Sequence, residues 1–423
     1  MRWTNRLNEF ASDALGRALR FEYPADSVLS QFFRENPTLG HAERGMIAEA
    51  VFTVLRRKRS LEAVCDDKPR PGRLLLASLA CLQGYNLRQI DTVIEAGERD
   101  WVGGTKGKFL QNVSPAVRAD MPDWLYDRLV EQWGEEGAQT VSASLNRPAP
   151  LDLRINTLKA NRDETLPKLI AAGLLGKACA YSPFAVRLEG KPALSKYDFF
   201  KDGVIEVQDE GSQLLGLLLA PKRGEMVADF CAGAGGKTLL LGAMMRSQGR
   251  LYAFDISEKR LANLKPRLAR SGLSNVHPVR IESERDSKIK RLAGKLDRVL
   301  VDAPCSGLGT LRRNPDLKWR QTPEAVTRLA ETQGSILSSA ASLLKPGGRL
   351  VYATCSLLQE ENDAVVDAFL AAHPEFIALS AQDILAKQGV AIEMEGDGMR
   401  LRLMPHRHGT DAFFAGVFER KAS

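Results

Sequence analysis

Between Ala42 and Arg57 the apolar residues recur at helical spacing, with Met46, Ile47, Ala50, Val51, Val54 and Leu55 on one stripe, which predicts an amphipathic helix. Arg73–Leu82 is apolar nearly all round, as a buried helix of a bundle is. Strand signals are scarce before Pro148, so residues 1–145 read as a helical domain. The texture then changes. Leu151–Asn156 alternates apolar and polar residues like a half-buried strand, Thr165–Ala172 reads as a short helix, and Ala185–Leu188 and Gly203–Val207 read as strands. Together they predict a small α+β domain over residues 146–221.

From Lys222 the pattern alternates strand and helix, the mark of a mostly parallel, doubly wound sheet. Predicted strands are Val227–Cys231, Leu251–Asp255, His277–Ile281, Arg298–Asp302 and Arg349–Ala353. Predicted helices are Lys237–Met245, Glu258–Arg270, Pro323–Leu344 and Glu360–Ala372, the third ending at the turn Lys345–Gly348. Arg400–Met404 and Phe413–Phe418 read as a closing hairpin. The fold class is α/β, with a third domain over residues 222–423.

Composition narrows the function classes. The chain has 423 residues, 59 Lys and Arg against 52 Asp and Glu, and a formal charge of +7, which suits a polyanionic partner without requiring one. Six cysteines in a chain this long do not make a disulfide scaffold, and neither they nor the five histidines form a ligand set, so no metal is expected. Met1–Arg20 carries Glu9 and Asp13 and lacks the apolar run of a secretory signal. No later stretch is long enough to span a membrane. A cytoplasmic protein, working as a monomer, is expected.

Three short stretches carry chemistry. Asp229–Thr238 (DFCAGAGGKT) runs from a strand through a Gly-rich turn into a helix, where bare backbone can approach a ligand. A P-loop would require glycine at the position of Cys231, so that reading fails on spacing. Asp255 ends the next strand, where an acid holds a ribose, although an N-cap role competes. Val301–Thr310 (VDAPCSGLGT) and Val351–Ser356 (VYATCS) place Asp302, Cys305 and Cys355 at the carboxyl ends of neighbouring strands, where open α/β sheets bind ligands. Either thiol alone would more often be inert filler. Two thiols on one cleft suit a reaction in which sulfur adds to a pyrimidine at C6 to make C5 nucleophilic, and a second thiol assists release.

These motifs, with Arg312–Arg320 (RRNPDLKWR), KPGGRLVYATCS and GTDAFFAG (Gly409–Gly416), resemble the RsmB/NOP2/Sun family of RNA cytosine-C5 methyltransferases, in a layout similar to the bacterial 16S rRNA members. LDLRIN and VQDEGSQL (Val207–Leu214) extend the resemblance to the small domain, and the helical start looks like a NusB-like RNA-binding domain. The resemblance implies a class I Rossmann-like domain with a seven-stranded sheet and S-adenosylmethionine as cofactor. It implies Cys355 as nucleophile and Cys305 as the residue that aids release; spacing alone leaves that assignment open. It further implies a cofactor site of Cys231, Ala232, Gly233, Ala234, Gly235, Gly236, Lys237 and Asp255, with Asp302 and Lys237 facing cofactor and base.

Here the family's Ala-Pro-Gly-Gly turn is Gly233–Gly236, without the proline, and the adenine-side acid is either Glu282 or Glu284. Arg312, Arg313, Lys318 and Arg320, with Trp319 among them, suit phosphate contact and base stacking, while a solvated basic loop with a packed Trp reads equally well. The expected partner is rRNA. Alternatives are a tRNA substrate, a catalytically idle RNA-binding assembly factor, and a nicotinamide-dependent oxidoreductase, the last weakened by the absence of GxGxxG.

Overall fold

The structure, a computed structural model, describes residues 3–65 and 69–422. Its contacts divide the chain into a helical unit, residues 1–148 with 310–323, and an α/β unit, residues 149–309 with 324–423. The segment 310–323, which the sequence pattern carries along with the C-terminal domain, therefore belongs with the helices.

In the helical unit the helix His41–Arg56 buries Ile47, Ala50, Val51, Val54 and Leu55, the stripe read from the sequence. The helix Pro71–Cys81 opens on a proline, whose missing N–H costs nothing at a first turn, and buries every residue from Leu74 to Ala80. Each large aliphatic side chain so enclosed stabilises the bundle by about 1.5–3 kcal/mol. Cys65 is buried in the same core, and burial raises the Cys81 thiol.

The α/β unit holds two sheets. The smaller is antiparallel, in the order β2 (Gly176–Ala178), β3 (Ala185–Leu188), β1 (Leu151–Ile155), β4 (Ile205–Val207), with the helix Arg162–Ala171 packed on it. β2 is too short to show an alternation, and the sequence pattern misses it.

In the larger sheet β5 (Met226–Asp229) lies between β6 (Arg250–Asp255) and β8 (Leu296–Asp302), with β7 (Val276–Arg280) beyond β6 and β9 (Leu344–Thr354) beyond β8, all parallel. β12 (Phe413–Arg420) then runs antiparallel to β9. Its other edge is shared by β11 (Arg400–Leu403) and β10 (Phe376–Leu379), which pair with its first and second halves. Eight strands thus fill seven positions. The turn Lys345–Gly348 proves to be an irregularity within β9, since pairing with β8 resumes at Arg349. The chain order reverses at β5, so the cleft above β5 and β8 is where a ligand site is expected.

Candidate active site

Because β8 and β9 are parallel neighbours, with Asp302 opposite Ala353, the loops after them leave the sheet side by side. Cys305 comes from one and Cys355 from the other, and their sulfurs lie 3.3 Å apart. Both are free, half-buried thiols. The Cys305 thiol is pushed well above its ordinary range, first by its hydrogen bond with Cys355, then by burial and by the charges of Cys355 and Glu361. Gly309 fastens the pair from beside. Its N–H donates to the Cys355 carbonyl at 2.8 Å, and a Cβ there would lie 2.4 Å from the Ala412 carbonyl oxygen, so only glycine fits.

Lys237 enters from the first turn of the helix Gly236–Met244, and its Nζ donates to Asp302 at 2.6 Å. Burial alone would lower its pKa. The carboxylate of Asp302 overcomes that and holds the ammonium above its usual value, with Cys355 adding in the same direction.

The Gly-rich turn needs its glycines for different reasons. Gly235 has φ +83, and a Cβ there would stand 2.1 Å from the Leu264 side chain. At Gly233 and Gly236 a Cβ would meet nothing within 4 Å, so bare backbone borders open space. Three polar groups of the turn are held from outside it. Gly233 donates its N–H to Asp255 at 2.8 Å, Arg267 donates to the Ala234 carbonyl at 2.6 Å, and Arg154 to the Gly236 carbonyl at 2.7 Å. Arg267 is itself held by Glu206 of β4 at 3.0 Å. The competing N-cap reading of Asp255 is settled by Ser257, whose Oγ accepts from Arg260 N–H and caps the helix Glu258–Ser271. The other Asp255 oxygen accepts from Ser257 N–H at 2.7 Å.

These elements enclose a cavity of about 620 Å³. Cys231, Ala232, Gly233, Ala234, Gly236, Lys237, Asp255, Glu282, Glu284 and Asp302 border it together with Cys305 and Cys355. Gly235 does not; it packs against the helix behind. Glu282 is exposed, whereas Glu284 accepts from Ser335 Oγ at 2.7 Å, which keeps its carboxyl below the ordinary range. Gln208, Ser212 and Ile256 also border the cavity and were not singled out from the sequence. Only the first two had a signal, their place in VQDEGSQL.

The basic run is used differently from what its composition suggests. Lys318 is fully buried, and its ammonium donates to the Arg56 carbonyl and to Asn146 Oδ1, both at 2.9 Å. It cannot grip a phosphate, and the sequence expectation for it is corrected. Burial, with no carboxylate among these two partners, lowers its pKa to about 7. Trp319 is half-buried, with its indole N–H on the Leu55 carbonyl at 2.7 Å, and Arg320 pairs with Asp316 at 3.5 Å. Arg312, Arg313 and Arg320 keep part of their surface exposed.

Among the described residues no three His, Cys, Asp or Glu side chains group as a metal site would require, and no helix is long and apolar enough to cross a membrane.

Comparison with known proteins places this geometry. Residues 216–419 match the family model for 16S rRNA methyltransferase RsmB/F, and residues 121–195 match the model for the ferredoxin-like domain of the same enzymes. The "probable ribosomal RNA small subunit methyltransferase B" of Bacillus subtilis is 30% identical, over 98% of this chain and 99% of that protein. Ribosomal RNA small subunit methyltransferase B of Sodalis glossinidius is 36% identical, over 85% of this chain and 89% of that protein. The crystal structure of PH0851 superposes with a TM-score of 0.80 at 25% identity, covering 99% of this chain and 100% of that one. Matching in sequence and fold over nearly its whole length, the chain belongs to the RsmB/F family of 16S rRNA methyltransferases.

Proposed function

We propose that the protein transfers a methyl group from S-adenosylmethionine to C5 of a cytosine in 16S rRNA, through a covalent bond between Cys355 and C6 that Cys305 helps to resolve. The observation that carries this reading is the pair of sulfurs 3.3 Å apart at the rim of a cavity that also holds the Lys237–Asp302 pair.

The residues fit the cofactor. Unfilled space at Gly233 and Gly236 leaves backbone open to the methionine part, and Asp255, each of whose oxygens is used only once by the backbone, can accept from both ribose hydroxyls. Glu282 or Glu284 would lie toward the adenine. When bound, S-adenosylmethionine supplies an electrophilic methyl group.

The chain's own groups divide the remaining work. The Lys237 ammonium, held charged by Asp302, stands where it can meet negative charge as it develops on the sulfur and the ring. Asp302, paired with that lysine, can accept from the exocyclic amine of cytosine. As the S–C6 bond forms, the C5–C6 π pair is released to C5. Once C5 carries the methyl group, its C5–H bond breaks, the pair restores the double bond, and the C6–S bond returns its electrons to Cys355. The proton needs a base. Cys305 is held protonated first of all by Cys355, and conversion of Cys355 into a thioether removes that cause, while burial and Glu361 still act; Cys305 is the proposed base. Arg312, Arg313 and Arg320 are proposed for phosphate contact.

The test is a pair of substitutions. Cys355→Ala is expected to abolish methyl transfer without trapping RNA, whereas Cys305→Ala accumulates a protein–RNA adduct that survives denaturing gel electrophoresis. An adduct with Cys355→Ala and none with Cys305→Ala would reverse the roles.

A further inference from the structure

Glu361 lies in the short turn Gln359–Glu361 that leads from β9 to the helix Asp363–Ala372, and its side chain is fully buried. A buried carboxylate is costly unless its lone pairs are met. Here they are. Oε1 accepts from the Ser306 backbone N–H at 2.8 Å and from Gln333 Nε2 at 3.0 Å. Oε2 accepts from the Ser306 hydroxyl at 2.5 Å and from the Ser356 hydroxyl. Gln333 Nε2 also donates to the Pro304 carbonyl at 2.9 Å, and the Tyr352 hydroxyl donates to the Glu361 carbonyl at 2.6 Å.

Ser306 and Ser356 are the residues that directly follow the two cysteines, and Pro304 precedes the first. One carboxylate therefore holds the residue after each thiol and, through Gln333, the residue before Cys305. None of these partners is a cation, so no ion pair offsets the cost of burying the charge. An apolar side chain there would leave buried donors of both turns unmet. What the carboxylate adds is a fixed register between two turns that come from different strands.

We infer that Glu361 is a positioning residue: it ties the two cysteine turns to each other and so sets the separation of the Cys305 and Cys355 sulfurs. Only the effect on turnover rests on the two-thiol mechanism proposed above; the tie itself does not.

Glu361→Gln keeps the volume but turns Oε2 into an amide NH2, which the two serine hydroxyls can meet only by changing from donors to acceptors, so the links at that atom lose their charge and weaken. Phenylarsine oxide reports the sulfur separation directly. Two S–As bonds form, and the arsenic-bound oxygen leaves as water with the two thiol protons. The unaltered protein is expected to take up the reagent, and Cys305→Ser or Cys355→Ser to lose the tight binding. In Glu361→Gln the affinity should fall about tenfold as the effective concentration of the second thiol drops. Methyl transfer should fall roughly 10²-fold in kcat, with KM for S-adenosylmethionine unchanged. If Glu361→Gln does not fold, Ser356→Ala removes a single link and is read in the same way. Weakened arsenical binding with undiminished turnover would support the tie and sink the two-thiol mechanism. Unchanged arsenical affinity in a folded variant would overturn the inference whatever happens to turnover.

Discussion

Lys237 and Lys318 are both lysines with little contact to water, in two regions of the molecule, and they end in opposite electrostatic states. At the sheet edge Lys237 meets the carboxylate of Asp302 at 2.6 Å, and its pKa rises despite burial. In the segment grouped with the helices Lys318 meets a carbonyl and an amide oxygen, and its pKa falls to about 7. Burial acts on both in the same direction; the charge on the nearest partner decides the outcome. A lysine facing a carboxylate keeps a charge that can act on a neighbouring thiol. A lysine facing only neutral oxygens serves the fold.

The largest test of this contrast is Lys237→Met. It should lower kcat for methyl transfer on the order of 10²–10³-fold, the scale of losing a preorganised charge. Alkylation of Cys355 by iodoacetamide at neutral pH should slow as well. Unchanged alkylation would show that the lysine does not act on the thiol. A smaller effect is expected for Arg267→Ala, which frees the Ala234 carbonyl and leaves Glu206 with one arginine, Arg270, instead of two. Affinity for S-adenosylmethionine, measured by calorimetry, should fall about tenfold, in keeping with the loss of a hydrogen bond from a charged donor. Equal affinity would mean that the Gly-rich turn holds its shape without that brace.

A third effect, on stability and not on activity, concerns Lys318. Its folded pKa of about 7 lies below the value of about 10.4 expected for the unfolded chain. Between these the unfolded state binds more protons, so stability gained relative to Lys318→Met should grow as pH rises from 7 toward 9, by at most about 1.4 kcal/mol per pH unit. Denaturant titration at both pH values measures it. A parallel pair of curves, with weaker and less salt-dependent RNA binding in the variant, would return Lys318 to an RNA-facing role.

Much of this was legible in the chain itself. Periodicity located the helix of Ile47 and Val54, alternation located the strand Leu151–Ile155, and Ala185–Leu188 was also read as a strand. Motif spacing put Cys305 and Cys355 at the ends of adjacent strands. The misses have physical causes. β2 is too short to show a period, and β10 is apolar throughout and shows no alternation. The basic run Arg312–Arg320 has a composition that fits either RNA or a packed loop, and only the partners of Lys318 and Trp319 decide between them. Glu361 is one of several acids at the start of a predicted helix, and nothing near it in sequence announces four donors.

By itself, then, the sequence determined what depends on neighbours along the chain: where most of the strands lie, where glycine lets backbone come bare, and that two thiols end consecutive strands of one sheet. Tertiary structure alone decided which ionisable groups act and which support. That follows because the partners of Lys318 lie 262 and 172 residues away and Ser306 lies 55 from Glu361. A side chain's charge state and reach are set by what folding brings against it, and no local pattern records that.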